Sequence, residues 1–171
     1  MTQLLPHPAA PAPHVRDINL ALSQESGQLQ VVYRLEAELA SLRIPAPGPG
    51  ERLDDLWKHT CFELFIMVGD GPSYEEYNFS PSGDWAHYHF VGYRDGMASN
   101  HGLSAPLINV YRNADYLELR TTVQIPDTRP LRLGLSAVIE DISGHISYWA
   151  LRHPSDKPDF HHSDAFALEL K

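Results

Sequence analysis

The chain has 171 residues, 43% of them hydrophobic, which suits one domain of ordinary size with a core it can bury. Its formal net charge of −9, from 13 basic and 22 acidic residues, argues against a nucleic-acid partner and against an anionic membrane surface. A single cysteine, Cys61, excludes an intrachain disulfide, and no apolar run reaches the length of a membrane span.

The chain opens Met-Thr-Gln-Leu-Leu-Pro-His-Pro-Ala-Ala-Pro-Ala-Pro, without the charged and apolar regions of a secretory signal, so a cytoplasmic location is the expectation. Residues 1–13 read as a Pro/Ala-rich arm, laid on the domain or left free, ahead of one domain over residues 14–171. Leu29, Val31, Tyr33 and Leu35 then alternate with polar neighbours. The Leu, Glu and Ala content of 30–42 also allows a helix, but the start at Val31-Val32 and the alternation favour a strand. A Pro/Gly cluster at 44–50 reads as a loop.

Three strands are expected in the middle of the chain. In the first, Phe62, Leu64, Ile66 and Val68 face one way and Cys61, Glu63, Phe65 and Met67 the other. In the second, Tyr77 and Phe79 oppose Glu76, Asn78 and Ser80; in the third, Ala86, Tyr88 and Phe90 oppose Trp85, His87 and His89. Leu117 to Ile125 and Leu131 to Ile139 again alternate with period two. Gly69-Asp70-Gly71-Pro72, Pro81-Ser82-Gly83-Asp84, Asn113-Ala114-Asp115 and Ser143-Gly144 punctuate the runs. Roughly nine or ten strands at this spacing imply an all-β fold. An antiparallel two-sheet β-sandwich satisfies the pattern, with a closed barrel as its rival.

If neighbouring strands align their polar faces, Glu63, Asn78, Ser80, His87 and His89 share one surface beside Trp85. A carboxylate, an amide, a hydroxyl and imidazoles beside an indole suit a sugar, whose hydroxyls need donors and acceptors and whose C–H face stacks on aromatic rings. A merely solvated outer face is the plainer reading, though Trp and His are unusual choices for one. Trp57, Lys58 and His59 lead into the first strand. Trp149 and His153 close a late strand, and Lys157-Pro158-Asp159-Phe160-His161-His162 forms a loop at the same end of the chain. Trp149 reads equally well as a core tryptophan.

Three blocks carry a family likeness. Leu56 to Ile66, Tyr77 to Trp85 and Trp149 to Phe166 resemble the DOMON-like domains related to family 9 carbohydrate-binding modules. The resemblance implies a jelly-roll-like sandwich and a sugar site, with haem as the ligand in other DOMON branches. It implies Trp57 and Trp149 as a pair clamping a sugar ring, Trp85 as a possible replacement, and Glu63, Asn78 and His161 as polar partners. The chain departs from the extracellular pattern in showing no secretion signal, no attached catalytic domain and no clear calcium loop.

The expectation is therefore a non-catalytic domain binding a small molecule, a sugar first, without a cofactor. The binding residues would be Trp57, Lys58, His59, Glu63, Asn78, Ser80, Trp85, Trp149, His153, Asp159 and His161. The alternative is haem or a metal ion on His87 and His89, with Glu63 or Met67 completing the set. No nucleophile elbow, phosphate loop or dinucleotide fingerprint supports an enzyme, and Cys61 reads as a small packed residue. The sequence leaves the oligomeric state open.

Overall fold

The computed structural model describes residues 2–99 and 104–171. The described chain is all β, with twelve strands and three single-turn 3-10 segments. The strands are β1 (Thr2–Pro6), β2 (Val15–Glu25), β3 (Gln28–Ala37), β4 (Cys61–Val68), β5 (Tyr74–Phe79) and β6 (Trp85–Phe90). They continue with β7 (Ala98–Ser99), β8 (Leu107–Arg112), β9 (Tyr116–Gln124), β10 (Leu131–Glu140), β11 (Ile146–Ala150) and β12 (Leu168–Leu170). The ambiguous stretch after Gln28 is strand to Ala37 and then a 3-10 turn at Leu39–Ser41.

The strands follow one curled path, β7-β6-β5-β4-β10-β11-β1-β2-β3-β9-β8, and β12 adds to β10 beyond the end of β11. Every strand pair is antiparallel. The curl folds the sheet into two facing layers, the sandwich that the alternation implied. The β2–β3 hairpin turns on Ser26 and Gly27, both at positive φ (50° and 76°), the two-residue turn whose twist matches its strands.

The arm is more closely built in than an extended peptide laid on the surface. Leu4 is fully buried, Thr2 to Leu4 pair with β2, and Leu5 and Pro6 pair with β11. The Pro/Ala-rich composition obscured this short strand, whose one inward Leu supplies the hydrophobic anchor; Met1 lies outside the described residues.

The main core lies between the layers. Phe62, Leu64 and Ile66 of β4, Tyr77 and Phe79 of β5, and alternate residues of β10 pack against Leu20, Val31, Tyr33 and Leu119 from the other layer. The Tyr33 hydroxyl crosses the core and donates to the backbone oxygen of Glu63 at 2.7 Å. A second, smaller cluster sits on the outward face of the β6-β5-β4-β10 layer, where Phe65, Met67, Tyr74, Tyr88 and Phe90 meet Ala165 and Phe166. That layer is thus buried on both faces, and β4 is buried at every residue but its last. Gly134 makes the docking of Phe166 possible, since a β-carbon there would lie 2.6 Å from Phe166 Cδ1.

Candidate functional site

The outward face of this layer carries a cavity of about 490 Å³. Register decides what lines it. Glu63 pairs with Asn78, which pairs with Ala86, while Phe65 pairs with Glu76, which pairs with Tyr88. Glu63, Glu76, Tyr88 and Phe90 therefore share the face, joined by Val138 of β10 and by Ile146 and Tyr148 of β11. Three connections raise the walls: the turn bearing Trp57 and Lys58, the β6–β7 connection with Arg94 and Met97, and the segment after β11 with Pro158, Phe160 and His161.

Trp57 stands on a single 3-10 turn, Leu56–Lys58, preceded by Asp55 in the left-handed region (φ 64°), which short polar residues tolerate. Its ring is 48% exposed, and the Lys58 ammonium, held by Asp55 at 3.1 Å, lies 5.5 Å from the ring centroid. Asp159 ties two walls together. It accepts hydrogen bonds from Tyr93, from the Arg94 guanidinium at 2.9 Å and from the His161 backbone N–H at 3.1 Å. These donors hold its carboxyl below the usual range, outweighing partial burial. The Arg94 backbone N–H donates to the Tyr74 hydroxyl at 3.1 Å, and that hydroxyl lies 2.7 Å from His161 Nδ1. When Tyr74 donates to Nδ1, the other ring nitrogen carries the proton, and Nε2 faces Glu76 Oε2 at 3.7 Å.

The floor is electrostatically unusual. Glu63 and Glu76 are both buried, on adjacent strands and diagonal to one another. Burial pushes Glu76 up to about 7, against the offsetting pull of Asn78 and Arg94. Burial, then the neighbouring Glu76, push Glu63 well above the ordinary carboxyl value, and a Ser136 hydroxyl 3.2 Å from its Oε2 only partly compensates. Burial also drives the His161 imidazole down to about 4, with Arg94 adding to the shift and Asp159 opposing it. Burial thus favours the neutral form of all three groups, the two acids and the imidazole.

The residues expected from sequence divide clearly. Trp57, Lys58, Glu63 and His161 line the cavity, Asp159 braces it, and Asn78 lies buried beside Glu63 with neither side-chain amide atom hydrogen-bonded. Trp149 is elsewhere. It is 3% exposed, in the core between the layers, with its indole N–H donating to Ser147 Oγ at 3.0 Å. Trp57 and Trp149 therefore do not form a pair across a ligand. Alternation puts the preceding residue, Tyr148, on the cavity side instead.

Trp85, His87 and His89 lie on the face opposite Glu63, because Tyr77 pairs with His87 and Phe79 with Trp85. Trp85 lines a separate groove with Pro47 to Gly50. Glu75, not Glu63, is the carboxylate between the histidines, at 2.7 Å from His87 Nε2 and 2.6 Å from His89 Nδ1. Met67 packs on the face opposite His87 and His89. Among the described residues no group of three or more His, Cys, Asp or Glu side chains is placed to hold a metal ion. Ser80 is buried in the β5–β6 turn, bonded to Ser82. His59 contacts Glu140 at 2.7 Å without lining the cavity, and the His153 ring bonds to the Leu5 carbonyl at 2.7 Å. Cys61 is fully buried, and burial followed by Glu63 pushes its thiol well up.

Sequence reasoning missed Glu76, Tyr88, Phe90, Arg94, Tyr148 and Phe160. The signal for three of them was parity. Five residues separate Phe79 from Trp85, which pair with one another, so even-numbered residues oppose even-numbered ones across the turn. Asn78 therefore shares its face with Ala86, Glu76 and Tyr88, not with the histidines.

No family model matches the chain, and no curated protein sequence matches it. Solved structures share its fold. A candidate carbohydrate-binding protein of Bacteroides uniformis aligns with TM-score 0.66 at 12% identity, over 86% of this chain and 75% of that one. A family 9 carbohydrate-binding module of Caldicellulosiruptor kristjanssonii aligns in its glucose complex with TM-score 0.57 at 11% identity, over 95% of this chain and 78% of that one. Its cellotriose complex gives 0.51 at 9% identity, over 84% and 68%. The fold is therefore that of a family 9-like β-sandwich.

Proposed function

We propose that this domain binds a carbohydrate in the cavity under Trp57 and does not transform it. The observation that carries the reading is one cavity lined both by aromatic rings, among them Trp57, Tyr148 and Phe160, and by polar groups, the buried Glu63 and Glu76 and the half-buried His161. Rings offer area to the C–H face of a pyranose, and the protonated acids offer both donors and acceptors to its hydroxyls. The fold adds support, since the same architecture is found in a candidate carbohydrate-binding protein and in a family 9 carbohydrate-binding module with glucose and with cellotriose bound. The clamp implied by the family resemblance is recast, with Trp57 retained and Tyr148 in the place expected for Trp149.

The test is calorimetric titration of the intact chain with glucose, cellotriose and a panel of other mono- and oligosaccharides. Saturable binding that weakens in Trp57→Ala and Tyr148→Ala supports the reading. Absence of binding across the panel ends it.

A further inference from the structure

The cavity combines two features that a neutral sugar does not require together. Five aromatic rings line it, from Trp57, Tyr88, Phe90, Tyr148 and Phe160, and two carboxyl groups lie at its floor. Among the described residues, His161 is the only basic side chain within ion-pair distance of either acid, and its imidazole stays neutral to about 4. The two cations at the rim are already engaged: Lys58 with Asp55, and Arg94 with Asp159 and Tyr93. Arg94 eases the charge on both floor acids without bonding to either. Asn78, 0% exposed and beside Glu63 on the same face, makes no well-formed hydrogen bond through either amide atom, although its side chain lies near enough to Glu76 to draw that acid's pKa down.

Buried carboxylates without a cation are costly, and aromatic faces attract one. We infer that the ligand of this cavity carries a primary ammonium group, as an amino sugar does, and that this group sits on the Glu63–Glu76 pair while the rings enclose the sugar. The inference rests on the sugar-binding reading and narrows it. On binding, the ammonium takes the position of a proton held by the acid pair. That proton leaves to solvent, the carboxylate remains, and no bond in the ligand is broken.

The experiment is calorimetry of the intact chain with D-glucosamine, D-glucose and N-acetyl-D-glucosamine at about pH 6.5, where an amine of ordinary pKa is ionised. Each titration is run in two buffers of different ionisation enthalpy. Glucosamine is expected to bind about tenfold tighter than glucose and to release a fraction of a proton, with N-acetylation returning the affinity to the glucose level. Glu76→Gln should bring glucosamine down to whatever affinity the same variant keeps for glucose and should remove the proton release, its folding checked by thermal melting. Glucose binding as tightly as glucosamine, without proton release, overturns this inference and leaves sugar binding intact. A preference that persists in both Glu76→Gln and Glu63→Gln also overturns it. Binding of none of the three overturns the amino-sugar proposal. Tetramethylammonium chloride alone then tests the acid floor: Trp quenching that Glu76→Gln removes would assign it to a cation other than a sugar.

Discussion

Trp57→Ala separates a ligand platform from a structural tryptophan. The ring is 48% exposed and sits on a one-turn segment, so its removal takes little from the core. A tryptophan has roughly 200 Å² to bury, so about 100 Å² remains free, and a pyranose covering one face would take about 60 Å² of it. At about 25 cal/mol per Å² that area contributes about 1.5 kcal/mol, or a little over tenfold in Kd. Trp149→Phe is the matching control. It shrinks a ring that is 3% exposed and removes a hydrogen bond to Ser147, so it should lower the melting temperature with little change in affinity. Calorimetry with whichever sugar binds the parent, together with melting curves for both variants, measures the contrast. Unchanged affinity in Trp57→Ala would refute the platform, as would equal weakening in Trp149→Phe at an undisturbed melting temperature.

Gly134→Ala forces a methyl against Phe166 and should cost about 1–3 kcal/mol as overpacking, read as a lower melting temperature and faster proteolysis after Ala150. Asp159→Asn weakens the tie between the Arg94 and His161 walls, so amide exchange should rise over 91–97 and 158–162 while the core strands stay protected. Glu76 supplies a pH signature. Its folded value, about 7, lies above the ordinary carboxyl value, so the native state holds more protons than the unfolded one between about 4.5 and 7. Stability from this residue therefore falls as pH rises through that window, by up to about 3 kcal/mol. His161, displaced downward, acts in the opposite sense between about 4 and its ordinary value, so the measurement is the difference from Glu76→Gln. The variant should gain on the parent in melting temperature from about pH 5 to 8, and parallel curves would refute the assignment.

The sandwich was legible because strict alternation survives wherever one face of a strand meets the core, as in Leu29 to Leu35 and Leu117 to Ile125. The site was legible in part. Trp57, Lys58, Glu63 and His161 were found because polar and indole groups next to strand ends are conspicuous. The rest was hidden by burial on both faces of the β6-β5-β4 layer. There, polarity no longer says which face is outward: His87 is fully buried beside Glu75, whereas Tyr88 and Phe90 line the cavity. The same effect reversed Trp149 and Tyr148, where the larger indole drew attention and the neighbouring phenol occupies the site. Arg94 and Phe160 lie in connections, where no period informs the reading.

Strand β1 closes the sheet where the two layers meet. Its five residues are the seam between the layers, hydrogen-bonded to β2 along one half and to β11 along the other. A chain beginning after Pro13 would present two raw strand edges side by side, each a template for another copy. A synthetic peptide spanning residues 2–6 would find both edges open to it, so rebinding of that peptide to the shortened chain, read as a recovered melting temperature, is the expected outcome.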